Sequence, residues 1–137
     1  MTAICFTVPG KPQGKARART YYNAKKKVMS STTPDKTVLY ENFIATRYME
    51  AAGEQRFSDG AYIKARIKSS SKVKKTAMLS GELLPTKKPD IDNIVKAVLD
   101  ALNEVAYRDD TQVVELQVRK QYSEKPRLEI CLEELEA

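Results

Sequence analysis

Histidine is absent from the 137-residue sequence, and cysteine occurs only twice. Without histidine there is no His-ligated zinc, no Ser-His-Asp triad and no Cys-His pair. Cys5 and Cys131 alone cannot complete a zinc site. Each lies in an apolar, strand-like run, so both are expected as buried free thiols. Long hydrophobic runs are missing as well: none approaches the ~18 residues of a membrane span. The opening MTAICFTVPGKPQGKARAR has no charged segment ahead of a long apolar stretch, so a secretory signal is not expected either. These absences point to a cytoplasmic protein with no membrane partner. Any catalysis must rest on carboxylates, Lys, Arg, Tyr, Ser or Thr.

Acidic residues are scarce in two places. Residues 1–34 hold seven basic side chains and no acid, and residues 61–89 hold eight basic side chains with Glu82 as the sole acid. The last third reverses this, with twelve acids against six bases over residues 90–137. The whole chain carries 24 Lys+Arg and 18 Asp+Glu, a net charge of +6. Basic blocks of this density suit a polyanion, because each Lys or Arg placed on a phosphate releases counterions; solvated surface is the plain alternative. An acidic cluster inside such a protein repels phosphates unless a cation stands between them. With 42% apolar residues the chain can bury a core, and its length is that of one domain, residues 1–137.

The elements follow from periodicity. Residues 3–8 form a strand with Ile4, Phe6 and Val8 on one face, ended by Pro9 and Gly10. Residues 11–33 read as a long basic loop, and such length makes it a functional candidate. A helix runs from Asp35 to about Ala52, with Tyr40, Phe43, Ile44 and Tyr48 as its stripe and Gly53 as its stop. Residues 61–68 alternate, Ala61, Ile63, Ala65 and Ile67 inward and a basic face outward. Residues 69–88 form a Ser/Lys-rich insertion, expected to be mobile and to hold at most one short helix. A second helix spans about 91–104, with Ile91, Ile94, Val95, Val98 and Leu102 facing the core. After a turn at Arg108–Thr111, residues 112–122 alternate with Val114, Leu116, Val118 and Tyr122 on one side. Ser123–Pro126 reads as a hairpin connection, and residues 127–133 return with Leu128, Ile130 and Leu132 inward. The fold class is α+β: a small mixed β-sheet of about four strands packed against two main helices.

The informative stretch is Lys87-Lys88-Pro89-Asp90-Ile91-Asp92-Asn93-Ile94-Val95-Lys96. Pro89 biases residue 88 toward an extended backbone, and alternate residues of an extended segment share a face. Inside the helix, Asp92, Lys96 and Asp100 form an i, i+4 row away from the core. A purely structural role is available to all of them: Asp90 as N-cap, Asp92 on the helix dipole, Lys96 in a surface pair. Asp109 and Asp110 follow the helix. Asp110 meets Asp90 and Asp92 only if residues 105–111 fold back toward the helix start. Three carboxylates without histidine would make a hard oxygen site for Mg²⁺ or Mn²⁺. An EF-hand is excluded, since the Gly and terminal Glu spacing after Asp90 is absent.

The run Lys88-Pro89-Asp90-Ile91-Asp92-Asn93-Ile94-Val95-Lys96, then Asp100-Ala101-Leu102, then Asp109-Asp110-Thr111-Gln112-Val113, resembles the RusA family of Holliday junction resolvases. Val8-Pro9-Gly10-Lys11-Pro12 with Lys15, Arg17 and Arg19 resembles the opening of its members. The resemblance implies a RusA-like fold and an endodeoxyribonuclease acting on four-way junctions in recombination and repair. It implies catalytic Asp90, Asp92, Lys96 and Asp110. Of these, Asp90, Asp92 and Asp110 would hold Mg²⁺, with Mn²⁺ as a substitute and Asp109 as the rival to Asp110. No organic cofactor is implied. Lys11, Lys15, Arg17, Arg19, Lys88 and Lys120 are the candidate DNA contacts. Two symmetric cuts with one site per protomer require a homodimer. The alternatives are a catalytically inactive, prophage-derived DNA-binding protein of the same fold, and a basic interaction domain whose acids are only caps and turns.

Overall fold

The computed structural model describes residues 3–16, 19–32 and 34–136. Along the chain come β1 (Ala3–Pro9), β2 (Arg19–Asn23), β3 (Val28–Thr32), α1 (Asp35–Ala52), β4 (Tyr62–Lys72), α2 (Lys75–Leu79) and α3 (Ile91–Leu102). A 3₁₀ turn (Asp110–Gln112), β5 (Val113–Ser123) and β6 (Arg127–Leu135) complete it. Four strands form one mixed sheet in the order β1-β6-β4-β5, with β4 and β5 parallel and the other neighbours antiparallel. A parallel pair needs a long crossover, and residues 73–112, with α3 among them, supply it. The architecture is the expected α+β one.

One sheet face carries the core. Ile4, Phe6 and Val8 of β1, Ile63, Ala65 and Ile67 of β4, and Leu128, Ile130 and Leu132 of β6 are all buried. Against them α1 lays Thr37, Tyr40, Ile44 and Tyr48, and α3 lays Ile94, Ala97, Val98, Ala101 and Leu102. The Phe6 and Tyr48 rings meet edge to face at 5.6 Å. The opposite face is wet: Tyr62, Arg66 and Lys68 are exposed on β4. This one-sided covering explains the strict alternation that made these strands readable.

Several expectations need correction. The stretch 11–33 is not all loop, because β2 and β3 pair antiparallel within it, with Tyr22 opposite Met29. The Asn23 side chain accepts from Lys25 N and Lys26 N at the turn, a local bond that the sequence hides among lysines. β4 runs on to Lys72, since Ser69 and Ser70 lie between two strands and Ser70 Oγ accepts from Gln121 Nε2 at 3.0 Å. Phe43 and Ile91 flank their stripes and stay exposed. Val114 is exposed because one extra residue is inserted in β5: Ile63 pairs with Val113 but Lys64 pairs with Glu115. That bulge flips the alternation, so Leu116 and Val118 share the face of Ala65 and Ile67. Leu116 is nonetheless exposed, on an edge strand.

Two corrections are topological. Ser123–Pro126 does not close a hairpin of neighbours, for β4 lies between β5 and β6. The link from Ser123 to Arg127 reaches roughly 13 Å when extended, enough to step over one strand in a sheet where next-but-one strands sit roughly 10 Å apart. The cysteines are neither free nor inward. Cys5 faces Cys131 across β1 and β6 with 4.1 Å between Cα atoms, and the two form a disulfide. Alternation explains this: with Ile4, Phe6, Ile130 and Leu132 turned to the core, residues 5 and 131 must point the other way.

Candidate functional site

The entry to α3 is built from the Lys87–Asp90 segment, in which the Lys88–Pro89 peptide is cis. Asp90 takes the N-cap position with extended φ −71° and ψ 151°, yet its side chain makes no capping bond. Ile94 N instead reaches the Asp90 carbonyl at 3.0 Å. Asp92 sits in the first helical turn, and Lys96 follows one turn later; both are exposed. Among the described residues, no ion pair involves Asp90, Asp92 or Lys96. The structural alternatives weighed from sequence are therefore unused here. Asp90 does not cap, and Lys96 does not hold a surface row.

The N-terminal basic segment docks directly on this motif. Lys15 N donates to the Asn93 carbonyl at 2.9 Å, and Ala16 N donates to Thr37 Oγ1 at 3.2 Å. A Cβ on Gly14 would stand 2.8 Å from Asn93 Cβ and 3.2 Å from Pro89 Cβ, so the approach depends on glycine. Lys15 Nζ lies 3.0 Å from Glu41 Oε2 and 3.1 Å from Asp100 Oδ2, tying α1 to α3. Burial works against the ammonium, but Glu41 and Asp100 outweigh it and hold its pKa above the ordinary value. Lys15 was a candidate DNA contact, and the structure occupies it with two carboxylates.

The far end of α3 is arranged differently. Tyr107 Oη donates to the Leu99 carbonyl at 2.8 Å, and Asp110 N donates to Asn103 Oδ1 at 2.9 Å. The chain thus folds back over the last turn of α3 only. Asp109 caps the 3₁₀ turn: its Oδ2 accepts from Thr111 Oγ1 at 2.7 Å, while Gln112 Oε1 accepts from Asp109 N at 3.3 Å. The Thr111 hydroxyl holds the Asp109 carboxyl below its usual range. Asp110 goes the other way, raised first by burial and then by Asp109 and Asp100. Burial, then the Asp110, Asp100 and Asp109 charges, push the Tyr107 phenol up as well.

The structure therefore does not gather the four predicted catalytic residues. Asp90, Asp92 and Lys96 belong to the first half of α3, whereas Asp110 neighbours Asp100 at its other end. Among the described residues no three acidic or thiol side chains stand together as a metal cage. The pair Asp90 and Asp92 still suits a hard cation. Mg²⁺ is commonly held by one or two carboxylates, with water and substrate phosphate completing the octahedron, and neither carboxylate has a competing partner.

The remaining candidates surround this entry. Lys11 and Lys88 line a cavity of about 470 Å³ bounded on one side by Pro89. Lys120 Nζ donates to the Lys87 carbonyl at 2.6 Å beside it. Arg17 lies outside the described residues; Arg19 stands in β2, and its side chain lies outside them. Lys72, Lys74, Lys87 and Tyr122 also line the cavity and were missed from sequence. The available signal was the basic block 61–89, which a reading as mobile insertion set aside. Among the described residues, no helix is long and apolar enough to cross a membrane. In comparison with known proteins, a profile of the family described as endodeoxyribonuclease RusA matches residues 9–133. An uncharacterized protein of Bacillus subtilis (strain 168), YqaN, is 37% identical over 144 residues, covering 100% of both chains.

Proposed function

Because the chain belongs to the RusA endodeoxyribonuclease family, we propose that it is a metal-dependent nuclease that resolves four-way DNA junctions by two symmetric cuts. The observation that carries this reading is the pair Asp90 and Asp92: two carboxylates at a helix entry that neither cap nor pair, set beside a lysine-rich surface. Mg²⁺, or Mn²⁺ in its place, would be held by these two, polarising the scissile phosphate and lowering the pKa of an attacking water. Lys96, one turn on and free of ion pairs, neutralises charge that builds on the phosphoryl oxygens. Lys11, Lys88 and Lys120 hold the DNA backbone near the pair. Asp110 is the further carboxylate of this proposal, assigned through the family pattern, and its raised pKa marks a group without a structural role. Paired cuts call for two copies of the site, hence a two-fold homodimer acting on cytoplasmic DNA.

The distance in the fold between Asp110 and the Asp90–Asp92 pair favours one second reading, a junction-binding protein that does not cut. A nicking assay on a synthetic four-way junction decides between them, run with Mg²⁺ and with chelator against a linear duplex control. Cleavage of the junction alone, and only with the metal, is expected. Tight junction binding with no cut in Mg²⁺ or Mn²⁺ would establish the second reading.

A further inference from the structure

The cavity beside Pro89 has a composition that junction cutting alone does not explain. Five lysines stand around it: Lys11 after β1, Lys72 and Lys74 at the end of β4, and Lys87 and Lys88 before α3. Its walls are not polar to match; Pro85, Pro89, Pro126 and Tyr122 supply flat apolar surface. No acidic side chain lines it. At about 470 Å³ it falls in the size class of small-ligand sites. Backbone-tracking grooves need only the lysines, and apolar ligand sites need only the walls. The two together fit an anion with an aromatic body.

We propose that this cavity receives one unstacked nucleotide of the DNA strand to be cut, its base against Tyr122 and the prolines and its flanking phosphates on the lysines. The position supports a nucleotide within a strand over a free one. Pro89, which forms one wall, is the residue before Asp90, so a strand leaving the cavity passes the carboxylate pair. Proteins that hold single strands combine a basic track with such a stacking platform. A base inside a duplex is unavailable, whereas the exchange point of a junction offers bases with weakened stacking. The wall is also braced: Lys120 Nζ bonds the Lys87 carbonyl, and Glu82 interacts with Tyr122. This inference rests on the nuclease reading, and names the part of the substrate that the site reads.

The test is a coupling cycle in chelator, where binding is measured without cutting. A four-way junction carries a single abasic position, moved one nucleotide at a time through the crossover. Wild-type protein is expected to lose about 5- to 150-fold in affinity at one position per strand, the range for losing a base–aromatic stack. Tyr122→Ala is expected to bind the intact junction more weakly by a similar factor and to show no further loss at that position. Tyr122→Phe keeps the ring and should behave as wild type. A Lys72→Gln/Lys74→Gln double variant, which leaves the wall intact, should keep the abasic effect while its affinity falls more steeply with salt removed from the comparison. Junction binding with no sensitive position, or the same abasic loss in Tyr122→Ala, overturns the cavity assignment. The Mg²⁺ nicking assay reads the nuclease proposal separately: cutting without a sensitive position leaves that proposal standing. A sensitive position without cutting removes it and leaves the cavity. Failure to bind junction DNA at all overturns both.

Discussion

The two ends of α3 use the same residue type in opposite ways. At its start, Asp90 and Asp92 have no capping bond and no ion pair among the described residues. At its end, Asp100 is held by Lys15, and Asp109 is spent on a cap. The helix dipole explains why the arrangement is stable. Acids near the N-terminus gain about 0.3–1 kcal/mol without any partner, while acids near the C-terminus face carbonyl ends and lose by a similar amount. The last turn of α3 has no basic residue of its own. Lys15 supplies the cation from another part of the chain, and it also neutralises Glu41. One end can therefore leave its carboxylates free for a ligand because the dipole tolerates them; the other end had to spend its neighbours on structure.

Breaking the free end should give the largest effect on cutting and the least on folding. Asp90→Asn and Asp92→Asn are each expected to lower junction cleavage by at least ~100-fold, beyond what an outer-shell partner usually costs. Melting temperature should hardly move, as for other surface changes within ±0.5 kcal/mol. If either variant cuts normally and melts early, the free end is structural after all. Lys96→Met removes a charge and keeps the stem. Single-turnover cutting at saturating protein should fall ~100- to 1,000-fold, the usual loss for one transition-state donor. A rate within about threefold of wild type would make Lys96 ordinary surface.

Gly14→Ala sharpens the comparison from the other side, because it presses the basic segment on the free end. The added methyl meets Asn93 Cβ, which is fixed to the helix backbone and cannot swing away. Overpacking of this kind costs ~1–3 kcal/mol. Thermal melting should show that loss, and cleavage should drop with it as the Pro89–Asn93 backbone is displaced. Normal cutting at reduced stability would mean that the segment can lift without disturbing the carboxylates.

Lys15→Met attacks the occupied end. It leaves Glu41 and Asp100 facing one another, and the cost should be about 1–2 kcal/mol, between an exposed pair and a fully buried one. A pH series adds a sign. The folded state raises the Lys15 pKa above its usual 10.5, so the contribution is whole below about pH 10.5 and fades as the pH climbs through the raised value. Wild type and variant should therefore converge in stability in strong alkali. DNA affinity should change little, because this ammonium is already engaged.

What the sequence revealed follows how local each signal was. Both helices were bounded by their own punctuation, Pro34 and Gly53 for α1 and Pro89 for α3, and their stripes have a short period. The Asp90–Asp92–Lys96 pattern is equally local. What escaped depends on contacts distant in sequence. The place of β6 between β1 and β4 is invisible in a three-residue link that fits a hairpin equally well. The bulge at Val114 reverses a face without changing the letters around it. Lys15 looks like any lysine of the basic segment until Glu41 and Asp100 arrive from two helices. The cavity needs four separate stretches of chain before its lysines and prolines meet.

The smallest expected effect separates the neighbours Asp109 and Asp110. Asp109 caps, so Asp109→Ala should melt earlier. Asp110 has its pKa raised by burial and by two nearby acids, so the folded state holds its proton more tightly than the unfolded chain does. By linkage, its ionised form is a net cost to folding at neutral pH, and that cost disappears as the pH falls through the raised value. Asp110→Asn should therefore melt slightly later than wild type at pH 7, and the gain should vanish in acid, where Asp110 is already neutral. The same variant should cut poorly if Asp110 belongs to the chemistry. A carboxylate that costs stability and is needed for cleavage is kept for function. A variant that melts early, as Asp109→Ala does, would make Asp110 a second structural acid and confine the reacting groups to the start of α3.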